Sequence, residues 1–262
     1  MGHMYTPNQQ HNGLEVSPRA EGKRASGWGR PELSQAENPV VFFSNGIGDS
    51  LLSLPSLRAL STLFAGRLTL VCHRIPSQLC YFALNLQRIV ELEAMVEQEQ
   101  RRGVALVSPE IFDARGAAAK VGRCDVFLSL VPWHSDCLEE LVFRLIPHTT
   151  VGLFPFFDVQ VRTNGMHASD MAFEIARTVD SRLCIEDYAG PPRLADSAHR
   201  KARQLRSRLP VGSRLLVVHP DTSPDRCWVP ERYVNVLDAF LERRPEFFVF
   251  VVGRAYECLE QG

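Results

Sequence analysis

Two stretches of the chain gather side chains that could do chemistry. The first is Ser44-Asn45-Gly46-Ile47-Gly48-Asp49, a carboxylate set behind Gly46 and Gly48. As an N-cap, Asp49 would accept backbone N–H bonds and complement a helix dipole. Facing a crevice, it would serve as a general base. Position alone favours the cap, and the two roles can coexist. The second stretch is His219-Pro220-Asp221-Thr222-Ser223-Pro224-Asp225-Arg226-Cys227-Trp228. Hydroxyls and turn amides after a buried strand suit a phosphate. Arg226 adds a fixed charge able to pair with a diphosphate. The plainer alternative is a polar loop built from Asx and Ser turns.

Neither stretch fits a familiar nucleotide fingerprint. A dinucleotide loop needs a third glycine at position 51, where Leu51 stands, and an acid near the end of the second strand, where Cys72-His73 stands. A nicotinamide enzyme is disfavoured, and the Walker A pattern is missing from the sequence.

The surrounding periodicity supplies elements to hold these side chains. Val40-Val41-Phe42-Phe43 is a continuous apolar run, the mark of a strand buried on both faces. After a glycine-bearing turn, Leu51, Leu54, Leu57, Leu60 and Leu63 recur every three residues as one helical stripe. Pro55 fits the first turn of that helix, and Ala65-Gly66 ends it. Leu68–Cys72 is the next strand, completing a βαβ unit and implying a parallel sheet. The alternation continues with a helix over Ser77–Leu86, strands over Arg88–Leu92, Asp125–Leu130 and Thr149–Leu153, and helices over Cys137–Leu145 and His167–Val179. Gly190-Pro191-Pro192 marks a linker. A polar, arginine-rich helix over Ala195–Leu209 leads to a second βαβ start: strand Arg214–His219, helix Pro230–Arg243, strand Phe247–Val252.

This pattern gives an α/β protein in four parts. Residues 1–38 form a polar extension read as disordered. Residues 39–190 form a Rossmann-like domain, 191–212 a linker and helix, and 213–262 the opening of a second Rossmann-like domain. The 262 residues are 45% hydrophobic and 23% charged with a net charge of −1, so no global field draws the chain to nucleic acid. No apolar run approaches the roughly 20 residues of a membrane span, and no leader-like apolar segment opens the chain. The seven cysteines are scattered without a Cys-x-x-Cys pair, which reads as free thiols in a reducing cytoplasm.

Gly46-Ile47-Gly48-Asp49-Ser50-Leu51-Leu52-Ser53-Leu54-Pro55-Ser56-Leu57-Arg58-Ala59-Leu60 resembles the opening of glycosyltransferase family 9, the ADP-heptose lipopolysaccharide heptosyltransferases. His219 to Tyr233 resembles the start of that family's donor domain, usually His-Pro-Gly-x-Ser followed by Lys-x-Trp-Pro-x-Glu-Arg. Met166-His167-Ala168 resembles its segment before the interdomain linker. The resemblance implies a GT-B fold, with two Rossmann-like domains across a cleft, the acceptor in the first and a nucleotide sugar in the second. It implies inverting transfer, without metal or other cofactor, of a heptose-like sugar from an ADP-linked donor to a glycolipid or glycan hydroxyl. The place of work would be the cytoplasm, with peripheral contact at the inner membrane face. By position, Asp49 matches the catalytic base, Thr222 and Ser223 the donor phosphate binders, Arg226 a lysine that neutralises the leaving diphosphate, and Glu257 a ribose-binding glutamate.

Departures point to an alternative. Asp221 replaces the usual glycine and sets a carboxylate beside the expected phosphate; Arg226 keeps the charge but changes its geometry. The family continues through the rest of a donor domain. The chain is accordingly read as a truncated member, or as a non-catalytic GT-B remnant acting as a binding or partner module. Elsewhere, His134 reads as an exposed loop residue and Trp228 as packing. Arg200, Lys201, Arg203, Arg206 and Arg208 read as a solvated face rather than a patch for anionic lipid.

Overall fold

The computed structural model describes residues 30–92, 94–98, 105–220 and 228–253. The chain divides into two compact units between Arg193 and Leu194.

The first unit opens with a short 3-10 turn and β1 (Pro39–Phe43), followed by α1 (Ile47–Leu52), α2 (Leu54–Leu63), β2 (Thr69–His73), the single turn α3 (Arg74–Pro76) and a π-helical turn (Ser77–Tyr81). Next come β3 (Arg88–Leu92), β4 (Ala94–Gln98), β5 (Ala105–Phe112), α4 (Ala114–Val121), β6 (Val126–Ser129), α5 (Asp136–Leu145), β7 (Thr149–Gly152), β8 (Val159–Gln160) and α6 (Ala168–Val179). Six strands form one sheet in the order β3-β2-β1-β6-β7-β8, every pairing parallel. The fold class is therefore α/β with a parallel sheet, as the alternation of apolar runs requires. β4 and β5 stand apart as an antiparallel pair.

β1 is central, and all five of its residues are buried. A parallel strand covered by helices on both faces needs such an uninterrupted apolar run. Right-handed crossovers put α2 on one face and α5 on the other; α6 packs against α2, and α4 against α5. The carboxylate of Asp125 accepts from the backbone N–H groups of Glu37 (2.7 Å), Asn38 (3.0 Å) and Val126 (3.0 Å). It thereby ties the entry of β1 to the start of β6.

The leucine stripe is divided between two helices. Leu54, Leu57 and Leu60 are buried on α2, whereas Leu51 lies on α1 and is 40% exposed. The break falls at Ser53, because Pro55 has no N–H to offer the carbonyl of Leu51. Ala65 and Gly66, both at positive φ, end α2. The helix expected over Ser77–Leu86 reduces to α3 and the π-helical turn. The β4–β5 pair, α4 and β8 stand where the sequence reading placed no element.

The second unit contains α7 (Asp196–Arg206), β9 (Arg214–Val218), α8 (Pro230–Arg243) and β10 (Phe247–Val251). β9 and β10 pair in parallel, and Phe240 of α8 meets Phe247 edge-on at 5.0 Å. No residue of α7 is buried, so its arginines line a solvated helix. Among the described residues no helix is long and apolar enough to cross a membrane.

Candidate active site

The sheet order fixes where a ligand can enter. From β1 the chain moves outward to β2; from β6 it moves the other way to β7. The connections leaving their carboxyl ends diverge and open a crevice between them, the usual ligand position in such sheets. A small cleft, open to solvent, lies there. Asn45, Asp49 and Ser53 line it from the β1 side, Pro132 from the β6 side, Leu153 from the β7 side and Met171 from α6.

Asp49 is not an N-cap. α1 begins at Ile47, its N-cap is Gly46 in extended conformation, and Asp49 is the third helical residue. No side-chain capping bond is made at this end. Gly48 lies inside α1 rather than in a turn, and neither Gly46 nor Gly48 has positive φ. A Cβ added at Gly48 would meet nothing within 4 Å, and one at Gly46 would reach Asp49 Oδ2 at 3.9 Å. These glycines thus leave the first turn open instead of enabling a tight turn. Asp49 is exposed, and its carboxylate takes no hydrogen bond or ion pair from any described residue. A carboxylate on the wall of a cleft with its oxygens free can accept a proton from a bound hydroxyl. One held by backbone amides could not without losing those bonds.

A second polar group lies behind the loop. Ser44, fully buried, donates from Oγ to the Pro109 carbonyl at 2.7 Å and lies 2.7 Å from His73 Nε2. A carbonyl only accepts, so the hydroxyl proton is committed to Pro109 and His73 must donate through Nε2–H. Burial lowers the His73 pKa and favours this neutral imidazole. Ser44 is therefore not a nucleophile activated by His73; the pair pins β5 to the carboxyl ends of β1 and β2. No sequence pattern announces it, because its members are 29 and 65 residues apart.

On the β6 side, His134 is an exposed loop residue, as expected, but it has partners. Its Nε2 lies 2.8 Å from Glu139 Oε1, and its ring meets Phe154 at 5.6 Å and Phe156 at 5.7 Å. Trp133 packs edge-on against Phe42 at 5.9 Å, and its buried Nε1 has no hydrogen-bond partner among the described residues. His167 caps α6, its Nδ1 accepting from the Ser169 N–H at 3.3 Å.

Thr222, Ser223, Arg226 and Glu257 lie outside the described residues, as do Asp221 and Cys227. Trp228 is 51% exposed and packs on Tyr233 at 5.3 Å. Among the described residues no three His, Cys, Asp or Glu side chains are grouped to hold a metal.

Four of the described thiols have raised pKa values. Burial raises the pKa of Cys72 far above its usual value, that of Cys124 to about 12, and that of Cys80 more modestly. Exposed Cys184 donates to Glu186 at 2.6 Å, which also raises its pKa. A raised thiol pKa means less thiolate at a given pH. In a disulfide-exchange titration at pH 8, Cys72 and Cys124 are expected to react only on unfolding. Glu186→Gln is expected to speed the reaction of Cys184; an unchanged rate would show that the Glu186 bond does not hold the proton.

No family model matches the chain, and no curated protein matches it. Solved structures do. A glycosyl transferase family 9 protein from Veillonella parvula aligns over 86% of this chain and 68% of its own, with 18% identity and a TM-score of 0.63. The E. coli heptosyltransferase WaaC with ADP-2-deoxy-2-fluoro heptose aligns over 85% and 70%, with 16% identity and a TM-score of 0.52. E. coli ADP-heptose lps heptosyltransferase II aligns over 85% and 67%, with 12% identity and a TM-score of 0.52. At these identities the likeness establishes a shared fold, and the chain spans about two-thirds of the length of each.

Proposed function

We propose that the chain is an inverting glycosyltransferase that moves a heptose-like sugar from an ADP-linked donor to a hydroxyl of a glycolipid or other glycan. One observation carries the reading. An exposed carboxylate bonded to no described residue lines the switch-point cleft of a parallel sheet, in a fold shared with heptosyltransferases, one of them solved with ADP and with a fluorinated ADP-heptose.

In the proposed step the acceptor hydroxyl gives its proton to Asp49. Its oxygen bonds to the anomeric carbon from the face opposite the leaving group. The bond from that carbon to the diphosphate oxygen breaks, and its electron pair leaves on ADP. The transition state has oxocarbenium character, so stabilising the departing charge matters as much as the base. Thr222 and Ser223 would bond the phosphates, Arg226 would neutralise them without a metal ion, and Glu257 would hold the ribose. The work would be cytoplasmic, at the inner face of the membrane where a glycolipid acceptor is presented.

The test is calorimetric titration with ADP-heptose and other nucleotide sugars, followed by mass spectrometry of glycan acceptors incubated with donor and protein. Donor binding and an acceptor heavier by one sugar are expected. Binding of no nucleotide sugar would overturn the reading, and binding without transfer to any acceptor would favour the non-catalytic remnant.

A further inference from the structure

The short helix that carries Asp49 has one half-buried apolar anchor, Leu52. α1 is six residues long, below the length at which a helix sustains itself in water. Of its three large aliphatic side chains, Ile47 and Leu51 are 48% and 40% exposed and Leu52 is half-buried on the cleft wall; its one fully buried residue is Ser50. Hydroxyl groups add to this hold. Ser50 Oγ donates to the Gly46 carbonyl at 2.8 Å, within the helix, and Ser53 Oγ donates to the Ser50 carbonyl at 3.1 Å, across the break into α2. Both bonds are local and would turn with the helix. Tyr81 is different. It comes from the π-helical turn after β2, is fully buried, and places its hydroxyl 3.3 Å from the Ser50 carbonyl and 3.3 Å from Ser53 Oγ. The turn is itself anchored, because Ser77 Oγ lies 2.7 Å from Glu91 Oε1 on β3. Among the described residues, no other side-chain hydrogen bond reaches α1 or Ser53 from a distant part of the chain.

We infer that Tyr81 is the positioning residue of the site: its hydroxyl, clamped on the break between α1 and α2, fixes the direction in which α1 presents Asp49 to the cleft. The tether itself is independent of chemistry; its consequence for turnover rests on the proposed transfer reaction. Pro55 cannot supply the rung to the Leu51 carbonyl, so the ladder is weakened at the junction that Tyr81 holds. A π-helical turn suits the task because its wider winding re-aims side chains, and such turns recur at functional sites.

The test is Tyr81→Phe, which keeps the ring and removes the hydroxyl. Amide hydrogen exchange at residues 50–54 is expected to quicken about three- to tenfold, the equivalent of one lost hydrogen bond, while residues 57–63 of α2 keep their rate. Ser53→Ala combined with Tyr81→Phe should cost less than the sum of the two, since both act on the Ser50 carbonyl. In the transfer assay kcat should fall about tenfold with the KM of donor and acceptor nearly unchanged, the split expected when a reacting group is misaimed but binding survives. Unchanged exchange at 50–54 would overturn the clamp. Faster exchange with unchanged kcat would overturn its role in aiming Asp49. If the wild-type protein transfers nothing, the transferase reading fails, and the exchange result still decides whether Tyr81 holds α1.

Discussion

Asp49→Asn is expected to lower the rate of sugar transfer by about two to four orders of magnitude, the range lost when a positioned general base is removed, while the protein keeps its fold and its affinity for the donor. The asymmetry follows from the surroundings of the side chain. The carboxylate is exposed and bonded to no described residue, so its replacement breaks no structural contact. What is lost structurally is the favourable placement of a negative charge in the first turn of a helix, worth about 0.3–1 kcal/mol. The amide still accepts a hydrogen bond from an acceptor hydroxyl, so acceptor KM should move little; it cannot take the proton, so kcat falls. Asp49→Glu tests geometry separately. It keeps the base but moves it by one methylene, and should recover part of the rate. The measurements are initial rates with donor and acceptor varied independently, calorimetry for donor affinity, and circular dichroism for the fold. Turnover of Asp49→Asn within a few-fold of wild type would remove Asp49 from the base role.

How far such a site can be read from sequence depends on whether its parts are local. β1, β6, α5, α6 and α8 are legible because each carries an uninterrupted apolar run or a stripe of large apolar residues. α4 is not. Its buried face is Ala114, Ala117, Ala118 and Val121, correctly spaced for a helix but too small to register as an apolar stripe, although Asp113 bonding Gly116 N–H supplies an N-cap signal. The segment around Ser77 failed in the opposite sense. Leu79 and Phe82 look like core positions, yet they are 46% and 44% exposed. The sequence pattern ends the turn at Asp49 and starts the helix at Leu51, whereas the helix already begins at Ile47, despite two glycines that disfavour it. Asp49 could be singled out from its place after β1. That its oxygens meet no described partner, that α6 closes one wall of the cleft, and that Ser44, His73 and Pro109 form one network are products of long-range packing, and a single chain read in order carries no sign of them.

The same non-local packing sets the largest expected loss of stability. Phe42, on the central strand, is fully buried, and its ring lies 5.3 Å from Phe112, 6.3 Å from Phe127 and 5.9 Å from Trp133. These partners come from the end of β5, from β6 and from the loop after β6, so one ring joins the core to the connections that border the cleft. Phe42→Ala is expected to cost about 3–5 kcal/mol, the lost transfer free energy plus the cavity that a surrounded strand cannot close. For a unit of this size each kcal/mol lowers the melting temperature by roughly 2–4 °C, so a fall of about 10 °C should appear in a thermal scan. Phe42→Leu keeps most of the volume and gives up the ring contacts, worth about 0.5–1.5 kcal/mol per aromatic pair; its loss should be clearly smaller. Trp133 reports the change independently, because its indole leans on Phe42 by its edge and should shift its fluorescence when that ring is removed. A melting temperature within about 2 °C of wild type would mean that the loop and β5 pack on something other than Phe42, and that the core does not brace the cleft through this residue.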